Sequence, residues 1–503
     1  MGTRSGHVDG LKPADRWGPV IGCVGAFAVV LLFKGIVPAD TDTPWHLAQG
    51  RLLLRRWASG DLGVDGADTF SWTARGVPWH SNAWGFDAAL AGTYDVGGWI
   101  AVAGLRFLLL AALVALAWAV TRHGGAGRWA RAGSVWVAAL LVVPSGAMRP
   151  QLVSFVMLLA CLELTGLALD GGGPERAGGG RPAWRSSSLP PLVALAATVS
   201  LWAALHGAVV AGVVAVVATC AGEVVDRRAL RLPALTASVA TLASCLSPLG
   251  VRVWSYALET SGASAQERIQ EWQPPSLGRG QDVVISGVLL VMAASALALP
   301  SAATGRRRWR LLAPALLLTL LAFQAVRNEP FALLALLPFT TRALSAAGAW
   351  LERRGRALPV HPGRALGAMT VGALLGGSIQ AGSLPFHPDP LGSSEYPQVA
   401  TALPSGCRLL NEYDFGGYLI LVRPDVLVSQ DGRNDLYGPR RLEDQERLLG
   451  EGDPDRAVAW LERLGVTCIL LRSERGLASA LRDGIGWRQV GGRDDVEAWV
   501  RQR

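Results

Sequence analysis

Two carboxylates stand two residues apart in "ADTDTPWHLAQG", residues 39–50, directly after an apolar run. On an extended segment, Asp40 and Asp42 suit either of two chemistries. They can share a divalent metal cation, or one can act as a general base. Asp42, Thr43 and Pro44 also match a helix N-cap followed by proline in the first turn. A helix needs one cap, so capping accounts for Asp42 and leaves Asp40 as the sharper candidate. His46 and His80 each end a Pro-Trp-His tripeptide, and His206 lies in "LWAALHGAVV". For each, the alternatives are a packed or interfacial histidine and a place in a site. Arg149 in "AMRPQL" and Arg327 in "AVRNEP" carry planar donor forks that fit phosphate. Snorkelling or a salt bridge to a loop aspartate is the other reading. Glu271, beside Trp272, completes the polar set. No Walker loop, HExxH, CxxC or GxSxG motif is present.

The elements that must position these residues are set by composition. The 503 residues are 50% hydrophobic and 17% charged, against about a quarter charged in soluble domains. This is the composition of an α-helical polytopic membrane protein. Apolar runs that predict about 11 transmembrane helices lie near 17–37, 99–121, 132–147, 151–169, 190–205, 207–225, 232–249, 281–300, 311–326, 329–348 and 365–382. The first is too long for a signal-peptide core and reads as a retained helix. Arginine clusters fall in alternate connections, at 122–131, 176–185, 227–231, 306–310 and 353–356. The positive-inside rule puts these, and the amino terminus, in the cytoplasm. The formal charge of +8 therefore belongs to membrane topology, and nothing in the pattern predicts nucleic-acid binding.

That topology places Asp40, Asp42, His46, Arg149, His206, Glu271 and Arg327 on the outer face. Polar groups at membrane depth are costly and line cavities or paths. With "LSPLGVRVW" at the end of the seventh run, six separate segments agreeing on one face predict a single outward-facing cavity. The first external loop, 38–98, contains seven aspartates and four arginines. "PWHLAQGRLLLRRWASG" and "NAWGFDAALAGTYDVGGW" within it read as surface helices. Residues 1–382 form the membrane domain. Residues 383–503 hold no spanning run, and their alternation predicts an extracytoplasmic α/β domain with a partly parallel sheet. Its "DFGGY" and "DGRNDLYG" suit either ordinary turns or a lid over the cavity. Cys407 and Cys468 lie in this tail, where a disulfide is permitted.

Several of these stretches resemble bacterial polytopic membrane proteins related to the GT-C glycosyltransferase superfamily. They are "DTDTPWHLAQGR", "DTFSWTARGVPWHSNAWG", "LWAALHGAVV", "LSPLGVRVW", "IQEWQPP", "AVRNEPFALLALLP" and "NEYDFGGYLI…DGRNDLYG". The resemblance implies transfer of a sugar from a polyprenyl-phosphate donor at the outer face of the cytoplasmic membrane. The acceptor would be an envelope glycan, lipid or protein. It further implies an essential acidic residue just after the first span, where Asp40 and Asp42 stand, separated by Thr41. One of them would be the base of an inverting displacement, with a divalent metal cation as an optional cofactor. Arg149 and Arg327 would face the lipid phosphate. His46, His80 and Glu271 would line the sugar or acceptor site, and His206 the cavity. Two other classes fit less well. A transporter or flippase predicts midplane charges and an internal repeat. A non-catalytic scaffold would present its tail to an envelope partner.

Overall fold

The computed structural model describes residues 18–34, 41–142, 145–171, 188–260, 270–298, 308–354, 362–383, 399–483, 486–493 and 495–502. Asp40 lies outside the described residues.

Helices occupy all eleven apolar runs. They are α1 (Gly18–Lys34), the second half of α3 (Trp84–Thr121), α4 (Arg128–Val142), α5 (Pro150–Gly171), α6 (Leu189–Leu205) and α7 (Val209–Arg227). They continue with α8 (Arg231–Ser244) and, past the short connecting helix α9 (Arg252–Thr260), α10 (Gly280–Ala298), α11 (Arg308–Gln324), the pair α12 (Glu329–Ala335) and α13 (Leu337–Arg353), and α14 (Pro362–Ser383). Among the described residues, those starting at Trp84, Pro150, Val209 and Gly280 are each long and apolar enough to cross a bilayer. The segment Val326–Ala335 with Leu337–Arg353, bent by 61°, passes the same test as a pair. Leu108, Val193, Leu242, Val291, Leu320 and Leu375 are exposed on these helices. Side chains of that kind belong in lipid, where a helix satisfies its own backbone polar groups. The body is that of a multi-pass membrane protein.

The helices alternate in direction, which sorts the connections onto two ends. At one end the arginine-rich turns pair with acids. Arg122 meets Glu163 at 2.5 Å, Arg310 meets Asp170 at 2.9 Å, and Arg227 meets Glu223 at 2.8 Å. The other end gathers Asp42, Arg149, Glu271 and Arg327. Between α1 and the second helix of the body comes the long first loop. Its α2 (Thr43–Ala58) is a helix that packs along the first half of α3. Non-helical Gly97 and Gly98 then kink α3, so a surface segment turns into a spanning one. A short hairpin, β1 (Asp65–Ala67) with β2 (Pro78–His80), lies between α2 and α3.

The tail forms a four-stranded sheet in the order β3-β4-β6-β5. Its strands are β3 (Leu409–Asn411), β4 (Cys468–Arg472), β5 (Trp487–Arg493) and β6 (Val496–Arg501). β3 and β4 are parallel and the other pairs antiparallel. The two-residue period of a strand divides the core. Cys468 and Leu470 pack on one face with Phe415, Leu419 and Trp45 of α2. Ile469 and Leu471 pack on the other with Leu448, Leu461 and Leu477. Four tail helices cover the sheet, α15 (Tyr413–Val422), α16 (Asn434–Leu449), α17 (Pro454–Leu464) and α18 (Gly476–Asp483). Cys407 and Cys468 are buried and free.

The first loop is woven into this sheet. Ser71 bridges Val428 in parallel, and Arg408 bridges Leu427. Val428 N donates to Phe70 O and Trp72 N to Val428 O, each at 3.1 Å. Trp72 Nε1 donates to Leu409 O at 2.9 Å. Beneath lies Arg433, a fully buried guanidinium that meets Asp68 of the loop at 2.6 Å and Asp431 of the tail at 2.7 Å. Burial alone would lower its pKa, but Asp431 and Asp68 more than offset this and hold it well above the ordinary value. The tail therefore packs directly on the first loop.

Candidate functional site

Asp42 occupies the N-cap position of α2 without capping it. No side-chain cap bond forms, and Asp42 is already in the helical region at φ −91°, ψ −33°. Its carboxylate faces away from the helix amides. Oδ2 lies 3.2 Å from Arg149 Nη2, and Oδ1 accepts from Trp45 Nε1 at 3.2 Å. Capping therefore does not explain Asp42. An N-cap carboxylate must fold back onto the first amides, and here the neighbouring guanidinium competes successfully for it.

Three connections meet at this point. The turn before α5 is tied to α2 because Thr43 Oγ1 donates to Met148 O at 3.1 Å, which brings Arg149 alongside Asp42. Arg149 also reaches Glu271 at 3.5 Å. The next residue, Trp272, lies under Arg327, whose guanidinium carbon is 3.8 Å from the ring centroid. A backbone bond from Val326 N to Gln273 O, 3.0 Å, holds the two turns together. The guanidinium of Arg149 is thus shared between two carboxylates. Arg327 rests on an aromatic face, and no ion pair is found for it among the described residues.

The histidines take different places. His46 is buried, with Nδ1 2.6 Å from Asp87 Oδ1 and its ring stacked on Trp45 at 3.6 Å. It joins α2 to α3 beneath the aspartate. His80 is drawn to the loop surface, where Arg252 Nη2 lies 2.9 Å from its Nδ1 and Asp65 lies at 3.7 Å. Strand alternation explains this, since Trp79 next to it points the other way, toward the tail. His206, between α6 and α7, meets Ser154 Oγ through Nδ1 at 2.7 Å, and Trp202 Nε1 donates to the same hydroxyl at 2.8 Å. Its charged neighbours are Arg327 and His46, so it backs the cluster from the membrane side. Asp42, Arg149, Glu271 and Arg327 are brought together, His46 and His206 lie behind them, and His80 stands apart.

The tail supplies residues that sequence reasoning did not assign. The Tyr413 hydroxyl accepts from Asn434 Nδ2 at 2.8 Å. Burial raises its pKa, and Asp42, Asp431 and Glu271 push in the same direction. Tyr413 therefore stays a neutral donor facing the acidic group. Asp435 accepts from Trp79 Nε1 at 3.1 Å. Asn82 bonds the Tyr256 hydroxyl. Two glycines permit this approach. A Cβ on Gly432 would collide with Asp42 Oδ1, and one on Gly417 would stand 2.5 Å from Thr41 O. The signal was visible as "DFGGY" and "DGRND", although turn chemistry gives the same letters.

The described residues do not fit a metal. No three histidine, cysteine or acidic side chains gather as ligands among them. Both Asp42 oxygens face N–H donors, which repel a cation.

No family model matches the chain, and no curated protein is similar enough in sequence to match it. Solved structures do match. The Archaeoglobus fulgidus oligosaccharyltransferase AglB, in complex with an inhibitory peptide and a dolichol-phosphate, is 12% identical with a TM-score of 0.59, over 91% of this chain and 69% of that one. The same archaeal enzyme with Zn and sulfate gives 13% and 0.55, over 90% and 68%. ArnT from Cupriavidus metallidurans bound to undecaprenyl phosphate gives 13% and 0.51, over 96% and 98%. At this identity the likeness is one of fold alone.

Proposed function

We propose that this protein is a membrane glycosyltransferase. It transfers a sugar from a polyprenyl-phosphate donor, at the outer face of the cytoplasmic membrane, to a hydroxyl of an envelope glycan, lipid or protein. The observation that carries this reading is the Asp42–Arg149–Glu271 cluster beside Arg327, walled by Tyr413. It joins a carboxylate to a separate guanidinium at the membrane edge. The GT-C-like fold, shared with structures that hold dolichol-phosphate or undecaprenyl phosphate, supports it.

In the proposed step Asp42 takes the proton of the acceptor hydroxyl as its oxygen attacks the anomeric carbon. The bond to phosphate breaks, and the lipid phosphate leaves with the electron pair. Attack opposite the leaving group inverts the anomeric centre. The two cations divide by partner. Arg149, held by Asp42 and Glu271, keeps the base aimed. Arg327, half-buried over Trp272, is placed to bind phosphate, and its charge is worth more away from water. Asp40 stays a second candidate base. No metal-dependent step is invoked.

The test is transfer by detergent-purified protein across a panel of polyprenyl-phosphate sugars, using wild type, Asp40→Asn and Asp42→Asn. Loss in Asp42→Asn with retained donor binding supports the assignment. Full activity in both single variants and in the double variant rejects it.

A further inference from the structure

Asp42 has an N–H group on each of its oxygens. Arg149 Nη2 lies 3.2 Å from Oδ2, and Trp45 Nε1 donates to Oδ1 at 3.2 Å. The torsion that turns a carboxylate about its Cβ–Cγ bond is broad and two-fold, so a single partner leaves the plane free to swing. Two partners on the two oxygens fix it. Helix geometry supplies the second one locally. Side chains on a helix lean toward its amino end, so Trp45, three residues on, reaches back over Asp42.

The indole is itself held by three parts of the chain. It is buried, and the His46 ring stacks on it at 3.6 Å and 26°. Trp79 of the first loop meets it edge-on at 6.2 Å. The tail closes the pyrrole edge, where a Cβ on Gly417 would stand 3.3 Å from Cδ1 and one on Gly432 would stand 2.7 Å from Nε1. His46 is locked in turn. Its Nδ1 lies 2.6 Å from Oδ1 of Asp87, which is closed to solvent, and Phe86 meets the imidazole edge-on at 5.4 Å. A ring so enclosed keeps one orientation, and its N–H points at Asp42.

We propose that Trp45 is a positioning residue for the base, with the His46–Asp87 pair and the two tail glycines as its mounting. The assignment rests on the glycosyltransferase reading, which takes Asp42 as that base. Arg149 does not suffice alone, because Glu271 shares its guanidinium at 3.5 Å. The indole exchanges no proton in the reaction and forms no bond to the sugar. It holds the carboxylate in the orientation from which Asp42 takes the acceptor proton. The tail acts on the base through the same ring, since the glycines that let the tail approach are those that leave the N–H edge in place.

The test uses the full-length protein in detergent and the panel of polyprenyl-phosphate sugars. Trp45→Phe keeps a ring against His46 and removes the N–H. It is expected to lower kcat about 10- to 100-fold, the value of a hydrogen bond to a charged group, with the KM for the lipid-linked sugar unchanged. In the Asp42→Asn background, single-turnover rates should show no further loss, because the base that the indole aims is already gone. His46→Asn keeps an N–H at the Nδ1 position and removes the stacked ring. A smaller loss of the same kind is expected from it, and it carries the test if Trp45→Phe melts early. Nuclear magnetic resonance of tryptophan-labelled protein adds a readout without turnover. The Trp45 indole N–H signal, assigned by its absence in Trp45→Phe, is expected to shift in Asp42→Asn. Full kcat in Trp45→Phe overturns the assignment, as does a loss that multiplies with that of Asp42→Asn, or a signal indifferent to Asp42→Asn. If wild type transfers no sugar of the panel while the signal responds to Asp42→Asn, the contact stands, and the glycosyltransferase reading fails together with the role built on it.

Discussion

At the scale of single residues, the site turns on which charges are already engaged. Arg149 lies between Asp42 and Glu271, whereas Arg327 stacks on Trp272. Substituting the two arginines should therefore give different kinetics. Asp42→Asn is expected to lower kcat by about 100- to 10,000-fold, the range of general-base contributions, with little change in donor KM. Arg149→Ala should lower kcat in the same sense, because the base loses its orienting partner. Arg327→Ala should instead weaken bare polyprenyl phosphate, measured by direct titration, and raise donor KM. Equal effects of the two arginine variants on lipid-phosphate binding would sink this division. Asp435 adds a pH signature. Its folded pKa is raised by burial, so its contribution to stability is full below the ordinary carboxylate range and is lost as pH rises through the shifted value. Asp435→Asn removes that loss. Thermal melts should show the variant gaining on wild type as pH rises above the ordinary carboxylate range. A pH-independent difference would contradict it.

At the scale of elements, close approach matters more than propensity. α2 is short and carries arginines in its last turn. It is held by Trp45, which belongs to the tail's core, and by the His46–Asp87 pair to α3. The turn of the tail that contains Gly432 comes down on Asp42 itself. Gly432→Ala should force the two apart, with a cost on the order of 1–3 kcal/mol for an overpacked site and a matching fall in transfer. The readout is a melt together with a single-turnover rate. Stability and rate both equal to wild type would show that the contact is soft.

At the scale of the whole molecule, the tail and the first loop behave as one structure. Loop residues 70–72 extend the tail's sheet, and the Asp68–Arg433–Asp431 group is closed to solvent. Removing one member of a buried ion pair leaves the other uncompensated, a loss of about 3–5 kcal/mol. Asp68→Asn is expected to loosen both partners together, so that limited proteolysis cuts the loop near 65–80 and the tail near 425–435. Cleavage confined to one of them would show that they fold separately. A tail that merely covers the cavity as a mobile lid would tolerate the substitution.

Composition, apolar runs and the arginine ladder determined the membrane class, the helix positions, the surface helices of the first loop and the α/β character of the tail. These depend on periodicity and local charge, which a sequence carries directly. The gathering of Arg149, Glu271 and Arg327 near Asp42 was legible as an agreement of faces. The choice between the aspartates was not. Local rules give Asp42 a cap, and only the approach of Arg149, over a hundred residues away, turns its carboxylate outward. Asp40 lies outside the described residues. The positions of Tyr413, Asn434 and Asp435 likewise depend on tertiary structure, because "DGRND" specifies a turn equally well on any surface. What brings it to Asp42 is the sheet that loop and tail build together, a contact between segments about 350 residues apart. The sequence thus marked "ADTDT" as a candidate, and the fold decided what faces Asp42.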